Sequence, residues 1–87
     1  MNQEAVVRVE VRYWSWFKDL AGVDHETFDI VAGNDLGTLL RRVREKHPKL
    51  EEVRRSTLVA VGVEYQPENH LLGDGDEVSL FPPVQGG

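Results

Sequence analysis

One amphipathic stripe set between two pairs of alternating segments limits what this chain can become. Leu36, Leu39, Leu40 and Val43 follow the i, i+3, i+4, i+7 spacing that puts apolar side chains on one face of a helix. Asn34 or Asp35, just ahead of the stripe, offers a side-chain oxygen to the orphan N–H groups of the first turn. Pro48 cannot donate and disfavours helix at His47, so the helix is predicted to stop there. Leu50 and Val53 fit a short further turn that closes the core. Before the helix, Val7, Val9, Val11 and Tyr13 alternate with Arg8, Glu10, Arg12 and Trp14, the period-two pattern of a half-buried strand. Phe28 and Ile30 flank Asp29 in the same way, and Gly22 and Asp24 supply a turn between the two segments. After the helix, the Val-rich "STLVAVGVEY" reads as a strand. Asp74–Gly75–Asp76 is a turn, and a last strand places Val78 and Leu80 on one face.

At 87 residues there is room for one core. Strands on both sides of a single helix predict an α+β fold, a mixed sheet packed on that helix. A right-handed crossover through the helix sets the first and last strands side by side and parallel. That arrangement, in the order ββαββ, is the ubiquitin-like β-grasp. The domain is expected over residues 1–81, with residues 82–87 as a flexible C-terminal tail.

The formal net charge of −5 is opposite in sign to that of a typical nucleic-acid binder. Arg41, Arg42, Arg44, Lys46, Lys49, Arg54 and Arg55 do cluster, but Glu45, Glu51 and Glu52 interleave with them, as on a solvated helix face. No run of ~18 apolar residues is present, so no membrane span is expected. The opening "MNQEAVVRVEV" lacks a basic stretch followed by an apolar core, so no signal peptide is expected. With no cysteine, disulfides and thiol catalysis are excluded, which fits a cytoplasmic protein.

Residue-level chemistry is sparse. His25, His47 and His70 are too far apart for ligand spacing and read as surface histidines, so no metal site is expected. Ser15, Ser56 and Ser79 stand in no nucleophile-elbow context. Asp74 and Asp76 lack the further ligands of a calcium loop and read as a solvated turn. The glycines of "GDGD" precede no helix, so the dinucleotide fingerprint fails. If the first strand continues past Tyr13, Trp14 and Trp16 project from the face opposite the core. Exposed tryptophans there would suit a partner surface, and equally would cover the edge of a small core. Phe81, out of phase with Val78 and Leu80, poses the same alternative.

The tail "FPPVQGG", Phe81 to Gly87, is the remaining candidate. Pro82 and Pro83 end the strand and hold the chain extended. Val84 supplies an apolar anchor, followed by Gln85. Gly86 and Gly87 carry no Cβ and fit a channel too narrow for any side chain. Read as the terminus, Gly87 carries an ionised α-carboxylate, the one functional group such a tail can deliver.

"LLGDGDEVSLFPPVQGG", Leu71 to Gly87, resembles the C-terminal segment of the small subunits of molybdopterin synthase, sulfur carriers of the ubiquitin-like β-grasp superfamily. Weaker agreement runs through "VRVEVRYWSWFKDLAG" and "LGTLLRRVREKHPKL". Gly62, in "AVGVEY", stands where this family usually has Asn. The resemblance implies that a ubiquitin-activating-type enzyme adenylates Gly87 with ATP and that a sulfur donor converts it to a thiocarboxylate. It implies that Gly86 permits passage of the tail and that Phe81 to Val84 position the stem in the large subunit of molybdopterin synthase. There sulfur would pass to cyclic pyranopterin monophosphate to build a dithiolene. On this expectation the chain is a sulfur-donor subunit without catalytic machinery of its own, and it binds neither cofactor nor metal alone. A sulfur carrier of another pathway (thiamin, tungsten cofactor, cysteine or tRNA thiolation) and a protein modifier joined through Gly87 are the alternatives.

Overall fold

The computed structural model describes residues 5–83. Val6–Tyr13 (β1) and His25–Val31 (β2) form an antiparallel hairpin, with Val9 opposite Phe28 and Val11 opposite Glu26. Leu36–Lys46 (α2) follows, then a 3₁₀ segment over Pro48–Ser56, then Leu58–Val61 (β3), Glu64–Tyr65 (β4) and Glu77–Phe81 (β5). The sheet order is β2-β1-β5-β3-β4. β5 lies parallel to β1, with Val11 opposite Val78 and Tyr13 opposite Leu80, and antiparallel to β3. The β-grasp expected from the element order is therefore the fold observed.

The phases of the strands and of the helix decide the core. Val9, Val11, Phe28, Ile30, Val78 and Leu80 meet Leu36, Leu39, Leu40 and Val43, all buried. Fully burying each such side chain contributes about 1.5–3 kcal/mol. Asp35, rather than Asn34, caps α2: its Oδ1 accepts from the Thr38 N–H at 3.0 Å and from the Thr38 hydroxyl at 3.0 Å. These hydrogen bonds, the backbone one foremost, hold its carboxyl below the usual aspartate range. The carbonyls of His70 and Glu68 take the N–H groups of Leu36 and Gly37, each at 2.8 Å, so the remaining first-turn donors are satisfied by the segment that joins β4 to β5.

Several features extend or correct the sequence expectations. β1 stops at Tyr13 instead of running on through Trp16. Ser15 adopts a positive φ of 58°, and a short helix, Phe17–Ala21 (α1), begins there. Gly22 closes α1 in the left-handed region, its N–H bonding to the Lys18 carbonyl. Five residues are too few for a helical period to stand out, and the helix has no side-chain cap. "STLVAVGVEY" is a hairpin rather than one strand, because Gly62 turns the chain with φ +62° and Ala60 pairs with Tyr65. Asn tolerates that left-handed conformation better than most residues, so the turn at Gly62 is one that an Asn could also make. The Leu50 turn is a nine-residue 3₁₀ segment, kinked at Val53. Asp74 and Asp76 are more than a solvated turn. Asp74 Oδ1 accepts from the Arg8 N–H and Asp76 Oδ2 from the Gly73 N–H, each at 2.8 Å. The turn is thereby pinned to β1.

His47 also departs from expectation. Its side chain is only 12 % exposed, and its Nε2 lies 2.5 Å from Glu26 Oε2. An ionised carboxylate only accepts, so Nε2 carries the proton. Lys46 Nζ reaches the other Glu26 oxygen at 2.6 Å, and the Tyr13 hydroxyl donates to Glu26 at 2.5 Å. Burial alone would raise the Glu26 pKa, but the hydrogen bonds from Lys46, Tyr13 and His47 outweigh it and hold the carboxyl below its ordinary value. Burial, and then Glu26, push the Tyr13 phenol well above its usual range, so it acts as a neutral donor. A depressed carboxyl contributes stability above its unfolded pKa, about 4.3, and loses it as pH falls through the folded value. The thermal midpoint of the wild type is therefore expected to exceed that of Glu26→Gln at neutral pH. The gap should close as pH falls below about 4.3; parallel melting curves across pH 3–7 measure it, and a pH-independent gap would contradict the ionic role.

Candidate functional site

The tail leaves from the end of β5, and the residues around that exit form a distinct surface. Leu80 turns inward while Phe81, the next residue, turns to the opposite face. There Phe81 pairs with Leu58 across β3 and lies beside the Tyr65 ring, centroids 6.0 Å apart and planes at 34°. The Trp14 N–H donates to the Leu80 carbonyl at 3.0 Å, which carries the β1–β5 ladder one residue past the end of β1. Trp14 therefore stands next to the tail exit. Together Trp14, Ala60, Val63, Tyr65, Ser79 and Phe81 line a shallow concavity of about 450 Å³.

This surface is apolar and open. Val63, at the hairpin tip, is 97 % exposed, Tyr65 67 % and Trp14 50 %. Large aromatic side chains left out of the core beside a chain exit make a docking surface in physical terms, because covering them removes apolar area from water. Farther along the same face the surface turns ionic: Arg12 Nε lies 3.1 Å from both Glu10 Oε1 and Glu77 Oε2. The apolar patch thus has a charged boundary on one side.

Of the site residues expected from sequence, the structure brings Trp14 and Phe81 together and leaves Trp16 out of the concavity. Trp16 is 47 % exposed, but it precedes α1 and rests edge-on against Phe17 at 4.7 Å. The two tryptophans do not share a strand face, because β1 ends before either. Pro82 is half-buried and Pro83 exposed. Val84, Gln85, Gly86 and Gly87 lie outside the described residues. Sequence reasoning missed Tyr65 and Val63. Their signal was the Gly62 turn: once the chain doubles back, Tyr65 falls beside Ala60 and reaches Phe81.

A larger depression, about 720 Å³, lies along α2 and the 3₁₀ segment, lined in part by Arg41, Arg44, Glu45, Glu51, Arg54 and Glu68. Charges of both signs alternate there, and Arg44 and Arg54 both face Glu51, at 3.8 and 3.5 Å. It is a solvated ionic seam that shares no lining residue with the concavity at the end of β5, as the interleaved charges suggested. Among the described residues no three histidines or carboxylates gather as a metal-ligand set, and no helix is long and apolar enough to cross a membrane.

Comparison with known proteins places these features in a lineage. The ThiS family model matches residues 11–87. The molybdopterin synthase sulfur carrier subunit of Chlamydomonas reinhardtii is 34 % identical over 83 residues, covering 93 % of this chain and 100 % of that protein. Among solved structures, the complex of subunits 1 and 2 of the molybdopterin-converting factor from Helicobacter pylori contains a chain 35 % identical. It superposes with a TM-score of 0.65 and covers 93 % of this chain and 100 % of its own. SAMP1 of Haloferax volcanii superposes with a TM-score of 0.82 at 26 % identity, covering 92 % of this chain and 99 % of its own. With the β-grasp sheet, the aromatic tail exit and a match that runs through the Gly-Gly tail, the chain belongs to the ThiS family, alongside the sulfur carrier subunits of molybdopterin synthase.

Proposed function

We propose that this chain is the sulfur carrier of a molybdopterin synthase and that the carboxyl group of Gly87 carries the sulfur. The observation that supports this most is the similarity to a sulfur carrier subunit over 93 % of this chain and all of that protein, together with a family match that runs to residue 87. The chemistry follows from the tail. A carboxylate is a poor electrophile. An adenylating enzyme of the ubiquitin-activating type couples it to the α-phosphate of ATP, and pyrophosphate leaves. Sulfide-level sulfur (HS⁻) released by a donor then attacks the acyl carbon, the bond to AMP breaks, a proton is lost, and a thiocarboxylate remains. ATP is bound by the activating enzyme, and this chain holds neither nucleotide nor metal itself.

Docking is the other half of the role. The large subunit of molybdopterin synthase receives the apolar face of Trp14, Val63, Tyr65 and Phe81. Pro82 and Pro83 then direct the stem, with Val84 and Gln85 following and Gly86 passing the narrowest point. The pairing of subunits 1 and 2 in the Helicobacter pylori complex supports a partner of this kind. The large subunit binds cyclic pyranopterin monophosphate and supplies the acid–base groups, and two sulfur transfers complete the dithiolene. The reaction belongs to the cytoplasm, where this chain, free of cysteine, needs no disulfide.

Intact mass of protein isolated from its own cells tests the reading. Exchange of one carboxylate oxygen for sulfur adds about 16 Da, and that species is expected when activating enzyme, ATP and donor are present. Its persistent absence would overturn sulfur carriage. The likeness to SAMP1 favours a second reading, a modifier joined through Gly87 to lysines of other proteins. Lysine-linked conjugates without any thiocarboxylate would decide for it. Co-purification with a thiazole synthase in place of a large molybdopterin synthase subunit would instead move the chain to another sulfur pathway.

A further inference from the structure

The cluster around Glu26 has no part in the chemistry above, yet it adjoins the docking face through one residue. Tyr13 from β1, Glu26 from β2, and Lys46 and His47 from the end of α2 converge there. The Glu26 and His47 side chains are each 12 % exposed. Tyr13 is buried, its ring edge-on to His47 at 5.7 Å, and its hydroxyl ends on Glu26. The next residue is Trp14, exposed in the apolar concavity.

The backbone between them has little slack. The Tyr13 N–H is held by the Asp24 carbonyl at 2.9 Å and the Trp14 N–H by the Leu80 carbonyl at 3.0 Å. Ser15 then takes a positive φ of 58°, a conformation that non-glycine residues adopt only when their surroundings impose it. Phe17, fully buried, anchors the far side, its N–H returning to the Trp14 carbonyl at 3.1 Å. The strained turn thus lies between two core side chains, Phe17 held by packing and Tyr13 held by packing plus the hydrogen bond of its phenol to Glu26. Loss of either partner, Glu26 or the phenol hydroxyl, removes the one side-chain hydrogen bond that fixes the Tyr13 ring, and where the hydroxyl stays without a partner it is also drawn toward water. Movement of Tyr13 would pass directly to Trp14.

We propose that Glu26 is a positioning residue for the docking face: through the Tyr13 phenol it holds the strained Trp14–Ser15 turn, and so the Trp14 ring, in the geometry that receives the large subunit. This inference rests on the reading that the Trp14 face docks that subunit.

The test uses Trp16→Phe protein, in which Trp14 is the sole tryptophan and its fluorescence anisotropy and emission report its ring. In this background Glu26→Ala and Tyr13→Phe are expected to lower Trp14 anisotropy and shift its emission. Each should raise the Kd for the large subunit of molybdopterin synthase by about 3- to 10-fold. Glu26→Gln keeps an acceptor for the phenol and is expected to restore both readouts, although it loses the ionic partners of Lys46 and His47. Far-UV circular dichroism establishes that each variant is folded. Should Glu26→Ala fail to fold, Tyr13→Phe, which keeps the buried ring, carries the test. Unchanged Trp14 fluorescence in folded Tyr13→Phe and Glu26→Ala would overturn the proposal, whatever happens to the melting temperature. So would unchanged affinity in these variants when Trp14→Ala itself weakens binding. If Trp14→Ala leaves the affinity unchanged, the docking face has been misassigned, and the functional half of the proposal falls with it.

Discussion

Gly86→Val is expected to reduce sulfur transfer at least ~100-fold, because a displacement of about 1 Å at a reacting group can cost that much. The variant is expected to fold as the wild type does. The argument is steric and local. A valine adds a branched Cβ where the proposed route through the large subunit admits only backbone, and the reacting carboxyl is one residue farther on. Among the described residues the last strand contributes Val78 and Leu80 to the core and ends at Phe81, five residues before position 86. Adenylation and transfer measured separately, with melting temperature alongside, check both halves. A variant that transfers sulfur at the wild-type rate would remove the channel from the mechanism. One that no longer folds would show that the tail belongs to the core.

Tyr65→Asp is expected to weaken binding of the large subunit by roughly 100-fold, the factor that corresponds to about 3 kcal/mol. Tyr65 is 67 % exposed on a two-residue edge strand, so its loss removes little from the core. In a complex the same position would be covered, and a carboxylate there would be desolvated without a partner beside Phe81 and Trp14. The effect should therefore appear in affinity, with little change in the melting temperature of the free protein. Calorimetric titration against the large subunit checks it. Unimpaired binding would mean that the apolar face at the tail exit is not where the partner sits.

Much of this architecture was legible in short-range patterns. The helical stripe of Leu36, Leu39, Leu40 and Val43 is buried in full, and the alternation in β1 predicted which side of it faces the core. A cap at Asn34 or Asp35, the stop before Pro48 and the turn at Gly75 are written in single residues, because each reflects a local backbone constraint. The mechanical reading of the tail, two prolines and then two glycines, belongs to the proposed function, since residues 84–87 lie outside the described residues.

Other features depended on segments meeting. α1 hid because five residues show no clear period. The position of Trp16 followed from it, since the strand phase that would have paired the two tryptophans ends at Tyr13. His47 looked like a surface residue because its partner, Glu26, is on a different element and Tyr13 on a third. The docking face is the clearest case. Trp14, Tyr65 and Phe81 are scattered along the chain, and each alone is an ordinary exposed or edge aromatic.

By itself the sequence determined the elements, their inward faces and the chemical character of the tail, because period, cap and turn act over a few residues. The crossover rule already set β5 beside β1, but only the tertiary structure decided that β3, with β4 beyond it, closes the other side of β5. That order of strands brings Trp14 and Tyr65 to the two sides of Phe81, and long-range pairing of this kind is set by the closing of the whole sheet over its helix.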